Sequence, residues 1–253
     1  MLDYDFGKYA VVNRPQVPAG KIFQPAFGLP LKEIVTANPG VIAACNAENT
    51  WSSNNIVVID RKVQKRTGCG VNTSDLVHPT GIFSVLVLDY GQRSVRIVEL
   101  KDGEPVQPIN FQTGVHGPLL VKDKQPVERP LLQSPLRTKP GEVNWDPNNT
   151  YSAMTAAGIM PTGELVFFVM AGNPETNNEC NIYEFAQVFA KLGVSDGCWM
   201  GASGDSGLYT RLTSSINDEQ NWIIGKARNS SSMGQMFPPG KRPLNIAFLV
   251  REN

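Results

Sequence analysis

Short apolar stretches separated by turn residues make up most of the pattern along this chain. Runs rich in Val, Ile, Leu and Phe that end at Gly, Pro, Asn or Asp are typical of β-strands. Two pairs of runs are joined by short turn sequences, at 89–91 and 161–163, and these predict hairpins. The predicted strands cover residues 41–45, 55–60, 81–90, 94–100, 117–123, 152–160, 164–172, 197–203, 207–213, 221–227 and 243–250.

One segment has the period of an amphipathic helix. Its apolar positions recur along one face, at Ile182, Phe185, Ala186, Phe189 and Leu192. Asn181 as N-cap and Gly193 after the last turn give a prominent helix over 181–192, and a shorter one is predicted over 31–35. These elements predict a single mixed, β-rich α+β domain over 1–253. The proline-rich stretch 124–150 is expected to form an extended loop or flap.

The charge balance and the apolar run lengths limit the partners. The chain has 23 Lys+Arg and 23 Asp+Glu, so it lacks the basic excess from which nucleic-acid binders draw affinity. The apolar run 165–172 is far shorter than the roughly 20 residues that a membrane helix needs. We therefore expect no nucleic-acid partner and no membrane span. The first residues show no signal peptide, so the expected location is the cytoplasm or an assembled virus particle.

The cysteine pattern argues against a metal centre. The four cysteines form no C-x-x-C pair, and no histidine lies at zinc-finger spacing from them. We expect no metal and no cofactor. Cys45 and Cys198 lie in apolar runs, which favours buried free thiols, and the spacing leaves a disulfide open.

Several short motifs occur in an order that is similar to a known family. They are Ala44–Thr50 (ACNAENT), Gly117–Asp123 (GPLLVKD), Met154–Gly158 (MTAAG), Ala171–Asn173 (AGN), the helix that ends at Gly193, Met200–Asp205 (MGASGD) and Lys241–Ala247 (KRPLNIA). Over residues 41–250 this order resembles the phosphodiester glycosidase family. The resemblance implies a phosphodiester-glycosidase-like fold, a glycan or sugar-phosphate ligand, and hydrolysis of a sugar-1-phosphodiester of the GlcNAc-phosphodiester type.

Three positions depart from the family's pattern at charged residues. Met154 stands in place of an Arg, and Ala171 and Gly201 each stand in place of an Asp. Cleaving this linkage needs a carboxylate for proton transfer or attack and donors for the phosphate charge. Two functions therefore stay open. One is an enzyme with a relocated site; the other is a non-catalytic glycan-binding or structural module with a degenerate site, such as a phage virion or surface-assembly component, with particle assembly or a homo-oligomer.

Candidate residues for a relocated site lie beside the altered motifs. Carboxylates and imidazole transfer protons, and the catalytic candidates are Glu48, Asp205 and His116. Amide, hydroxyl and guanidinium groups bind sugar and phosphate oxygens, and an indole stacks on sugar rings. The substrate-binding candidates are Asn46, Ser206, Arg211 and Trp51. The alternative is that they are ordinary turn, loop and surface residues.

A tetrapeptide gives a remote third alternative. Residues 204–207 read Gly-Asp-Ser-Gly, the sequence around the nucleophile of chymotrypsin-like serine proteases. Neither His78 nor His116 lies in the Ala-Ala-His-Cys context of that class, and a long amphipathic helix precedes the tetrapeptide. A serine protease is therefore the weakest of the three interpretations.

Overall fold

The secondary structure is β-rich with one long helix. The computed structural model describes residues 9–11, 30–46, 57–59, 62–63, 83–89, 94–100, 113–127, 153–172, 179–202, 206–225 and 247–251. Its helices are α1 (Leu31–Thr36), α2 (Ile182–Lys191) and a 3-10 turn (Glu219–Asn221). Its strands are β1 (Tyr9–Val11), β2 (Val41–Asn46), β3 (Val57–Ile59), β4 (Lys62–Val63), β5 (Phe83–Asp89), β6 (Ser94–Leu100), β7 (Thr113–Lys122), β8 (Gln125–Pro126), β9 (Met154–Ile159), β10 (Leu165–Met170), β11 (Asp196–Ala202), β12 (Gly207–Thr210), β13 (Trp222–Ile224) and β14 (Ala247–Arg251).

The strands form two sheets whose paired neighbours are antiparallel. Sheet 1 has the order β1-β14-β2-β12-β13. Sheet 2 has the order β10-β9-β11-β7-β3-β4, and β5, β6 and β8 complete it. β5 pairs with both β6 and β7, and β8 pairs with the end of β7. Sheet 1 therefore joins strands from both ends of the described chain, while sheet 2 takes strands from its middle.

Three apolar clusters order these elements into layers. Between the sheets, the buried side chains of sheet 1 meet those of sheet 2: Cys45, Phe248, Leu86, Ala157, Ile159, Cys198 and Met200. The outer face of sheet 1 packs on α1, and the outer face of sheet 2 packs on α2. Neighbouring residues of β2 show the alternation of a strand, because Ala44 packs towards α1 and Cys45 towards sheet 2. The layers are thus helix, sheet, sheet, helix.

Helix α2 has the local sequence features that start and stop a helix. The Asn181 side chain accepts a hydrogen bond from the Glu184 backbone N–H at 2.9 Å, and Glu184 Oε2 accepts from the Asn181 N–H at 3.1 Å. This reciprocal pair is a capping box. After the last turn Gly193 has φ of +91°, which favours glycine. The predicted helix is confirmed, with Leu192 as its C-cap.

Small residues in sheet 2 let α2 lie close to the strands. All six residues of β9 are buried. A Cβ added to Gly158 would lie 2.6 Å from Phe189 Cζ, and one added to Gly197 would lie 2.6 Å from Phe189 Cε1. The Phe189 ring also stacks on the ring of Phe168 at 5.6 Å. The ring therefore occupies space that any larger residue at either glycine would need.

Most predicted strands are confirmed, and the differences are at their ends. The predicted strand over 207–213 is wrong beyond Thr210, because the backbone N–H groups of Leu212 and Thr213 donate to Asn221 Oδ1 at 2.8 and 2.9 Å. β7 begins at Thr113, earlier than predicted, where it already pairs with β5. Of the predicted flap over 124–150, residues 124–127 form a turn and β8, and the remainder lies outside the described residues.

The α+β class and the β-rich content predicted from the sequence match this architecture. In the part of the chain that the structure describes, none of the helices has the length and apolar character needed to cross a bilayer.

Candidate functional site

A buried amide joins the two sheets at one end of the fold. Asn46 is the last residue of β2 and is fully buried. Its Oδ1 accepts a hydrogen bond from Thr155 Oγ1 at 2.7 Å and another from the Gly207 N–H at 3.1 Å. Thr155 belongs to sheet 2 and Gly207 to sheet 1, so the one side chain ties β2 and β12 to β9. We call Asn46, Thr155, Ser206 and the carbonyl of Met200 the Asn46 cluster.

An irregularity in β11 completes the bonding of this amide. Trp199 pairs with Ala156 and Gly201 pairs with Thr155, so Met200 is an extra residue between two consecutive partners. Such a bulge changes the direction of the groups that it carries, and bulges are frequent beside active sites. Here the Met200 carbonyl accepts from Asn46 Nδ2 at 3.4 Å. The bulge therefore brings β11 to the cluster.

Ser206 brings a buried hydroxyl next to the amide. It directly precedes Gly207, and only 2% of it is exposed. Its carbonyl accepts from the Gly225 N–H at 2.7 Å, which fixes its backbone against the segment after β13. Among the residues that the structure describes, its Oγ has no hydrogen-bond partner. A buried hydroxyl in this state can bond to an oxygen of a ligand without first losing a protein partner.

The chemistry of the Asn46 cluster is that of neutral hydrogen bonding. An amide and two hydroxyls can donate to and accept from sugar hydroxyls, and they can donate to phosphate oxygens. None of these groups gains or loses a proton readily near neutral pH. In general acid–base catalysis that role belongs to groups such as a carboxyl or an imidazole. The cluster can therefore hold and orient a ligand, and proton transfer needs another group.

The structure brings together two of the predicted site residues, Asn46 and Ser206. Glu48, Trp51 and Asp205 lie outside the described residues. Their predicted roles stay predictions.

The backbone of His116 lies towards the end of sheet 2 that carries the cluster, and Arg211 lies away from it. The backbone places His116 on β7, beyond the pair of Leu119 with Cys198 and towards the end of β11 that carries the bulge. Arg211 follows β12 at its other end, where its N–H donates to the carbonyl of Ile42. Ile42 lies four positions before Asn46 along β2, a length of roughly 13 Å. Arg211 is thus exposed and not part of the Asn46 cluster.

The altered family positions lie around the cluster but add no charge to it. Met154 precedes Thr155 on β9, and its side chain packs with α2 on the opposite face of the strand. Gly201 is the partner of Thr155 across the bulge. Ala171 follows the end of β10. The carboxylate that hydrolysis of a glycosyl phosphodiester would need is therefore not supplied by these three positions.

The cysteines among the described residues are buried free thiols, and burial keeps them protonated at neutral pH. Cys45 and Cys198 are fully buried and free, as predicted, and Cys180 is also free. Burial raises the pKa of the Cys198 thiol to about 12, and it raises the pKa of Cys45 still further, with a smaller contribution from Cys198 nearby. These thiols are protonated at neutral pH and are poor nucleophiles. Within the described ranges, no group of three His, Cys, Asp or Glu side chains forms a candidate metal site.

Thr155 is a member of the cluster that the sequence analysis did not propose. The available signal is a hydroxyl residue inside a run of small apolar residues, MTAAGI, in a strand that is covered on both faces. A hydroxyl there must find a hydrogen-bond partner, because an unpaired buried polar group is costly. The sequence does not reveal that its partner is Asn46, since 109 positions separate the two.

The family comparison agrees with the motif order. A family model described as phosphodiester glycosidase matches residues 34–250. The chain belongs to the phosphodiester glycosidase family. The resemblance over 41–250 is thereby confirmed, and the serine-protease alternative loses its support. Asn46, Thr155 and Ser206 all lie inside the region that matches this phosphodiester glycosidase model.

Two of the solved structures that match this chain cover nearly all of its length. One is the zebrafish N-acetylglucosamine-1-phosphodiester alpha-N-acetylglucosaminidase catalytic domain auto-inhibited by its pro-peptide, with a TM-score of 0.58 and 14% identity over 98% of this chain and 74% of that one. The other is a hypothetical protein from Synechocystis, with a TM-score of 0.47 and 13% identity over 96% of this chain and 57% of that one. No curated protein gave a match. The zebrafish likeness shows a shared phosphodiester glycosidase fold.

Proposed function

We propose that this protein hydrolyses a sugar-1-phosphodiester linkage, of the type in which N-acetylglucosamine is joined to phosphate. The observation that carries the proposal is the Asn46 cluster, a set of buried polar groups from both sheets at one end of the fold. Family membership supports the reaction class. The substrate class is supported by the zebrafish relative, whose name gives N-acetylglucosamine-1-phosphodiester as the linkage.

The bonding of the cluster suits it to orient a substrate. Asn46 is held by a hydroxyl, a backbone N–H and a carbonyl from three other strands, so it does not reorganise when a ligand arrives. Groups fixed in advance in a dry site stabilise developing charge better than water does. In this proposal Ser206 Oγ donates a hydrogen bond to a substrate oxygen, and Asn46 and Thr155 hold the neighbouring strands that position it.

The test is release of sugar from nucleotide-linked GlcNAc. The unsubstituted protein is expected to release N-acetylglucosamine. Ser206→Ala should lower kcat/KM by about tenfold, because one hydrogen bond to the substrate is worth about 1.4 kcal/mol. Ser214→Ala, an exposed serine in the loop after β12, is the matched control and should leave the rate unchanged. A purified, folded protein that releases no sugar would contradict the proposal.

Binding without hydrolysis is the second candidate function. It is favoured by the uncharged residues Met154, Ala171 and Gly201 and by the neutral character of the Asn46 cluster. In that case calorimetric titration with nucleotide-linked GlcNAc gives saturable heat while no sugar is released. Ser206→Ala should then weaken the binding, and Ser214→Ala should not. The two functions thus differ in one readout, the release of sugar.

A further inference from the structure

A buried carboxylate lies at the same end of the fold as the Asn46 cluster. Glu179 precedes Cys180 and the N-cap of α2, and 8% of it is exposed. Of the acidic side chains whose burial the structure describes, it is the one that is buried. Acidic side chains are rarely this buried, because keeping a carboxyl group out of water is costly unless it is hydrogen-bonded or paired.

Contacts at Gly172 locate this side chain. Gly172 has φ of +68°, and a Cβ added to it would lie 3.2 Å from Glu179 Cγ and 3.2 Å from the Ala153 backbone nitrogen. The Glu179 side chain therefore lies where Gly172 leaves space, beside the residue that leads into β9.

The strand registers place this contact at the cluster's end of sheet 2. Met154 of β9 pairs with Met170 of β10 on one side and with Ala202 of β11 on the other. The start of β9 and the ends of β10 and β11 thus share one edge. Thr155 lies two residues after Ala153, a backbone distance of roughly 7 Å. The structure describes six buried polar side chains, and four of them lie at this end of the fold: Asn46, Thr155, Ser206 and Glu179.

Residue 171, next to Gly172, is one of the positions at which this chain lacks a charged residue of the family pattern. Ala171 stands where the family pattern has an Asp, and Glu179 packs against the very next residue. A carboxylate that enters from the segment before α2 thus reaches the end of β10 where the strand itself has no acidic residue. The neutral cluster lacks a group that transfers protons, and the carboxyl group of Glu179 is of that kind.

We propose that Glu179 is a catalytic residue, the general base of the sugar-1-phosphodiester hydrolysis; this inference rests on the function proposed above. The carboxylate takes a proton from a water molecule whose oxygen bonds to the anomeric carbon. The bond from that carbon to the phosphate oxygen breaks, and the phosphate monoester leaves with the electron pair. Glu179 then gives its proton to solvent. A phosphate is a good leaving group without protonation, so one carboxylate suffices for the reaction.

Glu179→Gln, Glu179→Ala and Glu164→Gln test this assignment on nucleotide-linked GlcNAc. Glu164 lies at the turn end of the same β9–β10 hairpin, opposite to Glu179, and is the matched control. Glu179→Gln should lower kcat on the order of a hundredfold or more with a small change in KM, because a positioned base contributes about 10²–10⁴ in rate. Glu164→Gln should keep the wild-type rate.

Azide separates a catalytic role from a structural one. Azide is a small nucleophile that needs no base, so it should restore part of the rate of Glu179→Ala and yield a glycosyl azide, detected by mass spectrometry. A structural role would give no rescue. Wild-type rates for Glu179→Gln, or a loss without azide rescue in a folded variant, would overturn the assignment of Glu179 alone. No sugar release by the unsubstituted protein would overturn the proposed function and this assignment with it.

Discussion

Ser206 is a residue at which stability and ligand binding oppose each other. Its hydroxyl is buried, and among the described residues it has no hydrogen-bond partner. Leaving a buried hydroxyl in that state costs about 1–3 kcal/mol. Such costs are found at functional sites, where a group is kept ready for a ligand.

Ser206→Ala should therefore stabilise the protein in the absence of ligand. We expect its free energy of unfolding to rise by about 1 kcal/mol, since the substitution removes one heavy atom, a buried hydroxyl oxygen that has no partner among the described residues. Urea denaturation of the ligand-free protein measures this. Ser214→Ala, in an exposed loop, should change the value by less than about 0.5 kcal/mol. A Ser206→Ala protein that is clearly less stable than the unsubstituted one would show that the hydroxyl has a structural partner.

Sequence reasoning found part of the cluster, residue by residue. Asn46 was selectable because it ends an apolar strand, and Ser206 because it lies in a turn beside an altered motif. Thr155 and Glu179 were missed for the same physical reason. Each matters because of a contact that forms only in the folded chain. Thr155 bonds to Asn46, 109 positions away, and Glu179 packs beside Gly172 only once β10 and α2 are in place. Local pattern does not contain such contacts.

At the scale of elements, the contact between α2 and sheet 2 depends on two glycines. The ring of Phe189 stacks on the rings of both Phe168 and Phe185, which also stack on each other, so it cannot move aside easily for a side chain at Gly158 or Gly197. The close approach of α2 to sheet 2 therefore depends on the combination of Phe189 in the helix with glycine at positions 158 and 197 in the sheet.

Gly158→Ala should destabilise the protein by about 1–3 kcal/mol, the usual cost of overpacking a filled core. A double-mutant cycle with Phe189→Leu gives the mechanism. The smaller, flexible leucine makes room for the new methyl group, so the double variant should lose clearly less stability than the sum of the two single changes. Denaturant midpoints of the four proteins measure this. Additive losses would mean that Phe189 does not limit the size of residue 158.

Elements with strong local signals were predictable, and those defined by partners were not. Helix α2 has a capping box and a regular apolar period, and the β9–β10 hairpin has a turn between two apolar runs. β1 has three residues and β8 has two, and each is a strand only because β14 or β7 pairs with it. β12 stops at Thr210 because Asn221, eleven residues further on, takes the next backbone N–H groups.

For the whole molecule, the buried thiols set a limit on stability at alkaline pH. Burial raises the pKa of both Cys180 and Cys198 to about 12 from an ordinary value of 9.0, and it raises that of Cys45 as well. The folded state keeps these protons while the unfolded chain loses them above pH 9. The stabilisation is thus complete below about pH 9 and is lost as the pH rises from 9 towards 12.

Urea denaturation at pH 8, 9, 10 and 11 should show this loss. The free energy of unfolding is expected to fall by up to about 1.4 kcal/mol per pH unit for each buried thiol once the unfolded chain is deprotonated. Cys198→Ala should have a lower stability at pH 8 but a shallower fall above pH 9. A slope that is identical in Cys198→Ala would mean that this thiol does not titrate differently in the two states.

The sequence did not allow us to predict which strands belong to which sheet. Strand existence follows from local apolar runs, but β2 lies between β14 and β12, and so its neighbours come from the last part of the chain. Which strands pair depends on the packing of the whole molecule, and the sequence of a single apolar run does not determine it. The family resemblance supplied the fold where the pattern of the runs could not.

β9 is covered on every side, and this determines how its backbone amide hydrogens exchange with solvent. Its neighbours β10 and β11 bond its two edges, and α2 and sheet 1 cover its two faces. Amide hydrogens at 155–158 should therefore exchange with deuterated water only when the whole molecule opens. Their exchange rates would give the global free energy of unfolding without any denaturant. A ligand that binds at the Asn46 end should slow them by a factor that measures its affinity for the folded protein alone.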